Sequence, residues 1–210
     1  VRTAAAGHVH LAQEAVAAGA DIGGTGAADL FVAGDIEARF IGDAGGDIYL
    51  LGAGDSAVTI ADVSVDASQV DDTDVLVLDG ILLEQLSYLR IGDDLLITLE
   101  GETIATVEGQ FTQIAETDHY QLTGSGIEFI MDASGATLGR NDFMSLALTL
   151  GSDGDDYVTG SEVYYYAPYE GGSRFFYAQN VLVHHDSYDL GAGNGLISDW
   201  NGAETYYYSA

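Results

Sequence analysis

The stretch GDAGGDIYLLGAGDSAVT, residues 42–59, divides into two nine-residue units, GDAGGDIYL and LGAGDSAVT. Each opens on glycine-rich positions, carries Asp47 or Ser56 at its sixth place, and has Tyr49 or Val58 at its eighth. A unit of this kind is a tight turn followed by a short strand. Glycine supplies the turn's positive φ, and the eighth side chain points into a core made by stacking one coil on the next. One coil cannot bury its own apolar residue, so the repetition itself is what lets such a chain fold.

The same grid extends upstream as GGTGAADLF (23–31), a spacer Val32 and AGDIEARFI (33–41), with eighth positions Leu30 and Phe40. Isolated units recur at GSDGDDYVT (151–159) and LGAGNGLIS (190–198), where the eighth positions are Val158 and Ile197. Between them the texture changes to alternating strands: DVLVLDGI (74–81), and IGDDLLITL with EGETIATV, which reads as a hairpin turning at Gly101. Residues 3–18 are rich in Ala and suit a helix stopped by Gly19.

The nonapeptides resemble the RTX, or haemolysin-type calcium-binding, repeat, G-G-x-G-x-D-x-U-x with U large and apolar. The run from Asp47 to Asp55, then Leu76 to Ile81, Glu84 to Leu99 and Glu128 to Leu138 resembles the module that follows such repeats in secreted bacterial proteins. That resemblance implies Ca²⁺ in the turns and export by a type I pathway reading an uncleaved C-terminal signal, to which ETYYYSA is similar. The expected fold is therefore all-β: a parallel β-roll or β-solenoid, an additional antiparallel strand-rich module and a short N-terminal helix. The expected divisions are a helical cap over 1–20, the nonapeptide roll over 21–75, the calcium-related module over 76–145 and a tyrosine-rich β region over 146–210.

In RTX turns the sixth-position aspartate and turn carbonyls bind Ca²⁺ shared between coils. Here only Asp47 and Asp156 keep that aspartate; the other units carry Ala28, Ala38, Ser56 and Gly195. The candidate metal ligands are accordingly Asp43, Gly45 and Asp47 in one turn with Asp55 one coil on, and Gly151, Asp153, Gly154, Asp155 and Asp156 in another turn. The loop DASQVDDTD, with Asp66, Asp71, Asp72 and Asp74, lacks EF-hand ligand spacing and reads as a solvated loop.

Composition narrows the function. Five Lys+Arg against 34 Asp+Glu give a formal net charge of -29, which argues against nucleic acid and anionic membranes as partners. Bound cations are the natural relief of that self-repulsion, and Ca²⁺ prefers oxygen ligands. There is no cysteine, hence no disulfide or thiolate zinc site, and no apolar run nears the roughly 20 residues of a membrane span.

No H-E-x-x-H, G-x-S-x-G or phosphate loop occurs, and with no lysine the chain reads as a non-enzyme. His8 and His10 on a helix, and His184 and His185 on a strand, point to different faces and read as surface histidines. Arg140 reads as the partner of local carboxylates. Aromatics on both faces of Tyr164–Tyr166 and Tyr206–Tyr208 suggest an assembly interface through Tyr164, Tyr166, Tyr206 and Tyr208. The outward seventh positions Asp29, Arg39, Ile48 and Ala57 form no regular binding ladder.

The expectation is a secreted, calcium-stabilised structural protein on a bacterial surface, partnered with copies of itself and with cell-surface polysaccharide. The alternatives are a carbohydrate-binding adhesin module, or the C-terminal carrier domain of a larger secreted enzyme.

Overall fold

The structure, a computed structural model, describes residues 8–11, 17–62, 73–116, 119–122, 125–151, 157–159, 187–189, 196–198 and 205–207. The chain runs through β1 (Val9–Leu11), β2 (Ala20–Gly23), β3 (Leu30–Val32), β4 (Ala38–Ile41), β5 (Ile48–Gly52), β6 (Val58–Ala61) and β7 (Val75–Asp79). A turn of 3-10 helix at Leu83–Gln85 leads into β8 (Leu86–Ile91), β9 (Asp94–Leu99) and β10 (Glu102–Val107). Then come β11 (Gln113–Glu116), β12 (His119–Leu122), β13 (Phe129–Met131), β14 (Thr137–Gly139), helix α1 (Arg140–Leu146) and β15 (Leu148–Leu150). The short strands β16 (Tyr157–Thr159), β17 (Ser187–Asp189), β18 (Leu196–Ser198) and β19 (Thr205–Tyr207) complete the described chain.

Two large sheets form, ordered β1-β3-β5-β7-β13-β14 and β19-β17-β15-β8-β9-β10-β6-β4-β2. Successive early strands alternate between them. Leu30 pairs with Ile48 and Phe31 with Tyr49 in one sheet, while Ala20 pairs with Ala38 and Ile22 with Phe40 in the other, a parallel step of 18 residues in each. The inner faces meet through aromatic rings: Phe31 lies 5.1 Å from both Phe40 and Tyr49, the latter stacked at 10°. Phe31, Phe40, Tyr49, Ile60, Leu76 and Ile130 are essentially inaccessible to solvent.

The expectation of a parallel β-roll with a separate antiparallel module and an N-terminal helix is corrected. Both sheets are mixed. Positive-φ Gly92, Glu100 and Gly101 reverse the chain within the second sheet, so β8, β9 and β10 are antiparallel neighbours inserted between β15 and β6, whose pairings are parallel. The Gly101 hairpin forms as its sequence predicts. β13 pairs parallel with β7 and antiparallel with β14.

At the N-terminus Val9–Leu11 is a strand paired with β3 rather than a turn of helix. Strand pairing supplies more than the weak preference of Ala and Gln for helix can hold. Among the described residues the α-helix is α1, whose Phe143 and Met144 are buried.

The nine-residue grid is also displaced by one in its first unit. Asp29 and Phe31 occupy the places of Asp47 and Tyr49, so the unit is GTGAADLFV (24–32), Val32 is no spacer, and Phe31 rather than half-buried Leu30 fills the core. In the isolated units, Val158 of β16 pairs in register with Ile197 of β18.

Candidate metal centre

Strand alternation places residues i and i+2 on one face. Since Phe31, Tyr49, Leu76 and Ile130 point inward, the residues two before them also turn inward: Asp29, Asp47, Asp74 and Glu128. A carboxylate entering a core needs donors, and the neighbouring strand supplies one each time. Asp29 Oδ1 accepts the His8 N–H at 2.6 Å, Asp47 Oδ1 the Asp29 N–H at 2.7 Å, Asp74 Oδ1 the Asp47 N–H at 2.7 Å, and Glu128 Oε2 the Asp74 N–H at 2.7 Å. The acids thus form a column crossing the first sheet, each satisfying a backbone donor of the strand before it.

At the middle of the column, beside Asp47 and Asp74, a further buried aspartate arrives from the other sheet. Asp62 follows β6, and its Oδ2 accepts the Tyr49 hydroxyl hydrogen at 2.5 Å. Asp47, Asp62 and Asp74 are 0%, 0% and 1% exposed, and each brings a carboxylate oxygen within 4.8 Å of the other two. Among the described residues this is the group of three acids able to share one ion. Gly42 is required beside it, because a Cβ there would collide with the Tyr49 hydroxyl and with Oδ2 of Asp62 and of Asp47. Gly24 has the same role in the preceding unit of its sheet, where a Cβ would meet Asp29 Oδ2 and the Phe31 ring at 2.9 Å. The first-position glycine of this repeat therefore makes room for the sixth-position acid and eighth-position ring of its own unit.

The electrostatics differ along the column. Burial works to raise the Asp29 carboxyl, but hydrogen bonds from the His8 and Thr25 N–H groups and the Thr25 hydroxyl outweigh it and hold the group below the usual range. At the far end Arg140 Nη2 lies 2.8 Å from Glu128 Oε1, the carboxylate pairing expected of it. Burial disfavours the Arg140 charge, while Glu128, Asp74 and Asp62 favour it, and burial prevails. The Tyr49 phenol is pushed far up, by burial first and then by the charges of Asp62, Asp47 and Asp74; it is a donor and not a phenolate.

One guanidinium, that of Arg140, cannot balance Asp47, Asp62, Asp74 and Glu128 together. Two full charges no more than 4.8 Å apart repel by at least about 3.5 kcal/mol at an effective dielectric of about 20. A divalent cation removes that cost. Two oxygens on one Ca²⁺ at about 2.4 Å are no more than roughly 4.8 Å apart, a limit the three carboxylates meet, and an all-oxygen donor set suits calcium better than a transition metal.

The predicted ligands distribute differently. Asp47 belongs to the centre, but it is buried beside Asp62 and Asp74 instead of joining Asp43, Gly45 and Asp55 around an ion in the turn. Asp43 is exposed at φ 70°, and Gly45 occupies φ 118°, where an added Cβ would collide with the Ala27–Ala28 backbone. Asp55 Oδ2 accepts the Gly52 N–H at 2.6 Å, closing its own turn. Gly151 donates its N–H to the Asp189 carbonyl at 2.8 Å. Asp153, Gly154, Asp155, Asp156, Tyr164, Tyr166 and Tyr208 lie outside the described residues, as do Asp66, Asp71 and Asp72. Tyr206 is in β19, opposite Tyr188.

Asp29 is not the outward residue the grid suggested but a buried member of the column, and Asp74 is not solvated. The signal for both was an acid two places before a core residue in AADLFV, GGDIYL, DTDVLV and GIEFIM. Comparison of the chain with protein-family models and with curated proteins finds no match in either.

Proposed function

We propose that this is a calcium-stabilised structural protein that works outside the cell and assembles with copies of itself into a surface layer, filament or adhesive matrix. The observation that carries this reading is the convergence of Asp47, Asp62 and Asp74 in the core. Those three side chains would hold the ion, which supplies the positive charge that lets them be buried together. Binding that requires the folded arrangement adds directly to folding free energy. A chain of formal charge -29 is then loose where calcium is scarce and folded where it is abundant. This suits export of an RTX-related chain by a type I pathway.

Assembly draws support from the outer face of the first sheet. One row across it reads Val9, Leu30, Ile48, Val75 and Phe129, and the next Leu11, Val32, Leu50, Val77 and Met131. Val9 is 59% exposed, Ile48 42% and Phe129 40%. A continuous apolar face of this kind marks an interaction surface, and these two rows carry no charge to repel a second acidic copy.

Light scattering in calcium and in EGTA tests the proposal, with the Ile48→Lys variant beside the wild type. Large particles in calcium that dissolve in EGTA and fail to form in the variant are expected. A monomer under every condition would remove assembly from the proposal.

A further inference from the structure

Asp62 and Asp74 come from opposite sheets, and one short stretch of chain joins their backbones. Gly126 donates its N–H to the Asp62 carbonyl at 2.9 Å, while Glu128 and Phe129 donate theirs to the Asp74 carbonyl at 2.9 and 3.2 Å. Glu128 Oε2 in turn accepts the Asp74 N–H at 2.7 Å. Gly126 and Glu128 are two residues apart, a step of at most about 7 Å of extended chain. The stretch is therefore a strut of limited length between the end of β6 and the start of β7, where Asp62 and Asp74 sit.

Two side chains hold this strut. Gln110 is 1% exposed. Its Nε2 donates to the Ile127 carbonyl at 3.2 Å and its Oε1 accepts the Ile127 N–H at 2.9 Å, so one amide pairs with both backbone groups of a residue as a neighbouring strand would. Gly126 lies at φ 86°, and a Cβ there would collide with Gln110 Oε1; glycine is what lets the amide approach.

Arg140, the first residue of α1, grips the same stretch. Its Nε donates to the Ile127 carbonyl at 3.1 Å and its Nη2 to the Ser125 carbonyl at 2.7 Å, and Nη2 also lies 2.8 Å from Glu128 Oε1. A planar guanidinium serves several acceptors at fixed angles, which the point charge of a lysine does not. Gln110 and Arg140 thus fix residues 125–128, and those residues fix the backbones of Asp62 and Asp74.

We propose that Gln110 and Arg140 are positioning residues for calcium: through the strut they set the separation of Asp62 and Asp74, and with it the affinity of the core for the ion. The inference rests on the reading of Asp47, Asp62 and Asp74 as a calcium centre. Residues that orient metal ligands from behind are worth tenfold to a hundredfold in affinity. The linkage is reciprocal, so an ion in the core also tightens the strut that Arg140 ties to α1.

The test is calcium titration calorimetry on the full chain, comparing the wild type with Gln110→Met and Arg140→Lys under conditions where circular dichroism shows each folded. Both substitutions preserve the net charge, so the general attraction for calcium is unchanged. Each should weaken calcium binding at least about tenfold; either suffices if the other does not fold. Calcium should slow amide exchange at Gly126 and Ile127 in the wild type, and slow it much less in the variants. Ile97→Ala, a cavity in the β9 core, controls for lost stability by itself and should keep the wild-type affinity. Wild-type affinity in either folded variant, or an equal loss in Ile97→Ala, would overturn the positioning role and leave the calcium centre standing. No calcium binding by the wild type would remove the centre and this inference with it.

Discussion

Replacing Asp47 with Asn should stabilise the protein without calcium and remove its response to calcium. The amide keeps the shape and an oxygen that can accept the Asp29 N–H, now held at 2.7 Å, and deletes one charge. With oxygens within 4.8 Å of one another, each of the two pairs Asp47 makes with Asp62 and Asp74 is worth about 3.5 kcal/mol of repulsion, so roughly 7 kcal/mol if all are ionised. A proton is the alternative relief. Adding one to an ordinary aspartate at pH 7 costs about 4 kcal/mol, three units at about 1.4 kcal/mol each.

The smaller figure limits the effect. In EGTA, Asp47→Asn should be more stable by up to about 4 kcal/mol, a rise in Tm on the order of 10 °C for a chain of this size. In calcium at 100 times Kd the wild type gains about 2.7 kcal/mol, and the variant gains little. Thermal unfolding followed by circular dichroism, four samples side by side, reads both. If the wild type ignores calcium and the variant is destabilised in both buffers, Asp47 is a hydrogen-bond acceptor only and the charge argument fails.

Gly42→Ala should cost about 1–3 kcal/mol or more in urea unfolding, since its Cβ would collide with the Tyr49 hydroxyl and two aspartates, whereas Gly23→Ala, with nothing within 4 Å, should be near neutral. Tyr49→Phe leaves Asp62 short of the donor it holds at 2.5 Å, and should lower stability by about 1–3 kcal/mol by the same measurement. Phe31→Ala, at a wholly buried ring, should cost about 3–5 kcal/mol. The Asp29 carboxyl is held below its ordinary 3.8. Its contribution to stability is therefore complete above that pH and is lost as pH falls through the folded value. Urea midpoints measured from about pH 5 downward should fall less steeply in Asp29→Asn than in the wild type.

Local rules are readable where one strand decides its own neighbours. The hairpin at Gly101 follows from two alternating runs and a glycine turn, and Phe40, Tyr49 and Val58 are buried as their place in the repeat requires. The phase of the first unit is not readable, because Gly23 and Gly24 admit either start, and Leu30 and Phe31 are both apolar. Only pairing with β5 decides between them. The helix expected over residues 3–18 rests on propensity, which at Val9–Leu11 the pairing with β3 overrides; residues 3–7 and 12–16 lie outside the described residues.

The candidate centre shows the same division. Asp47 is recognisable as the acid of a repeat, but the repeat points to partners in its own turn and the next. Asp74 precedes β7 and meets Asp47 through the pairing of β7 with β5 in one sheet, whereas Asp62 follows a strand of the opposite sheet and meets it only because two sheets face each other. His10 departs from the surface position expected of it for the same reason as the helix: in strand β1 it turns inward and stacks on Phe31, while His8 stays exposed.

The most direct measurement is anomalous diffraction from crystals grown in calcium and soaked in a lanthanide that replaces it. A single strong peak within about 2.3–2.6 Å of oxygens from Asp47, Asp62 and Asp74 is the expected result, with Arg140 still on Glu128. Peaks confined to exposed acidic loops, with the three buried carboxylates instead sharing protons in short oxygen–oxygen contacts, would contradict a cation in the core and with it the calcium-dependent fold.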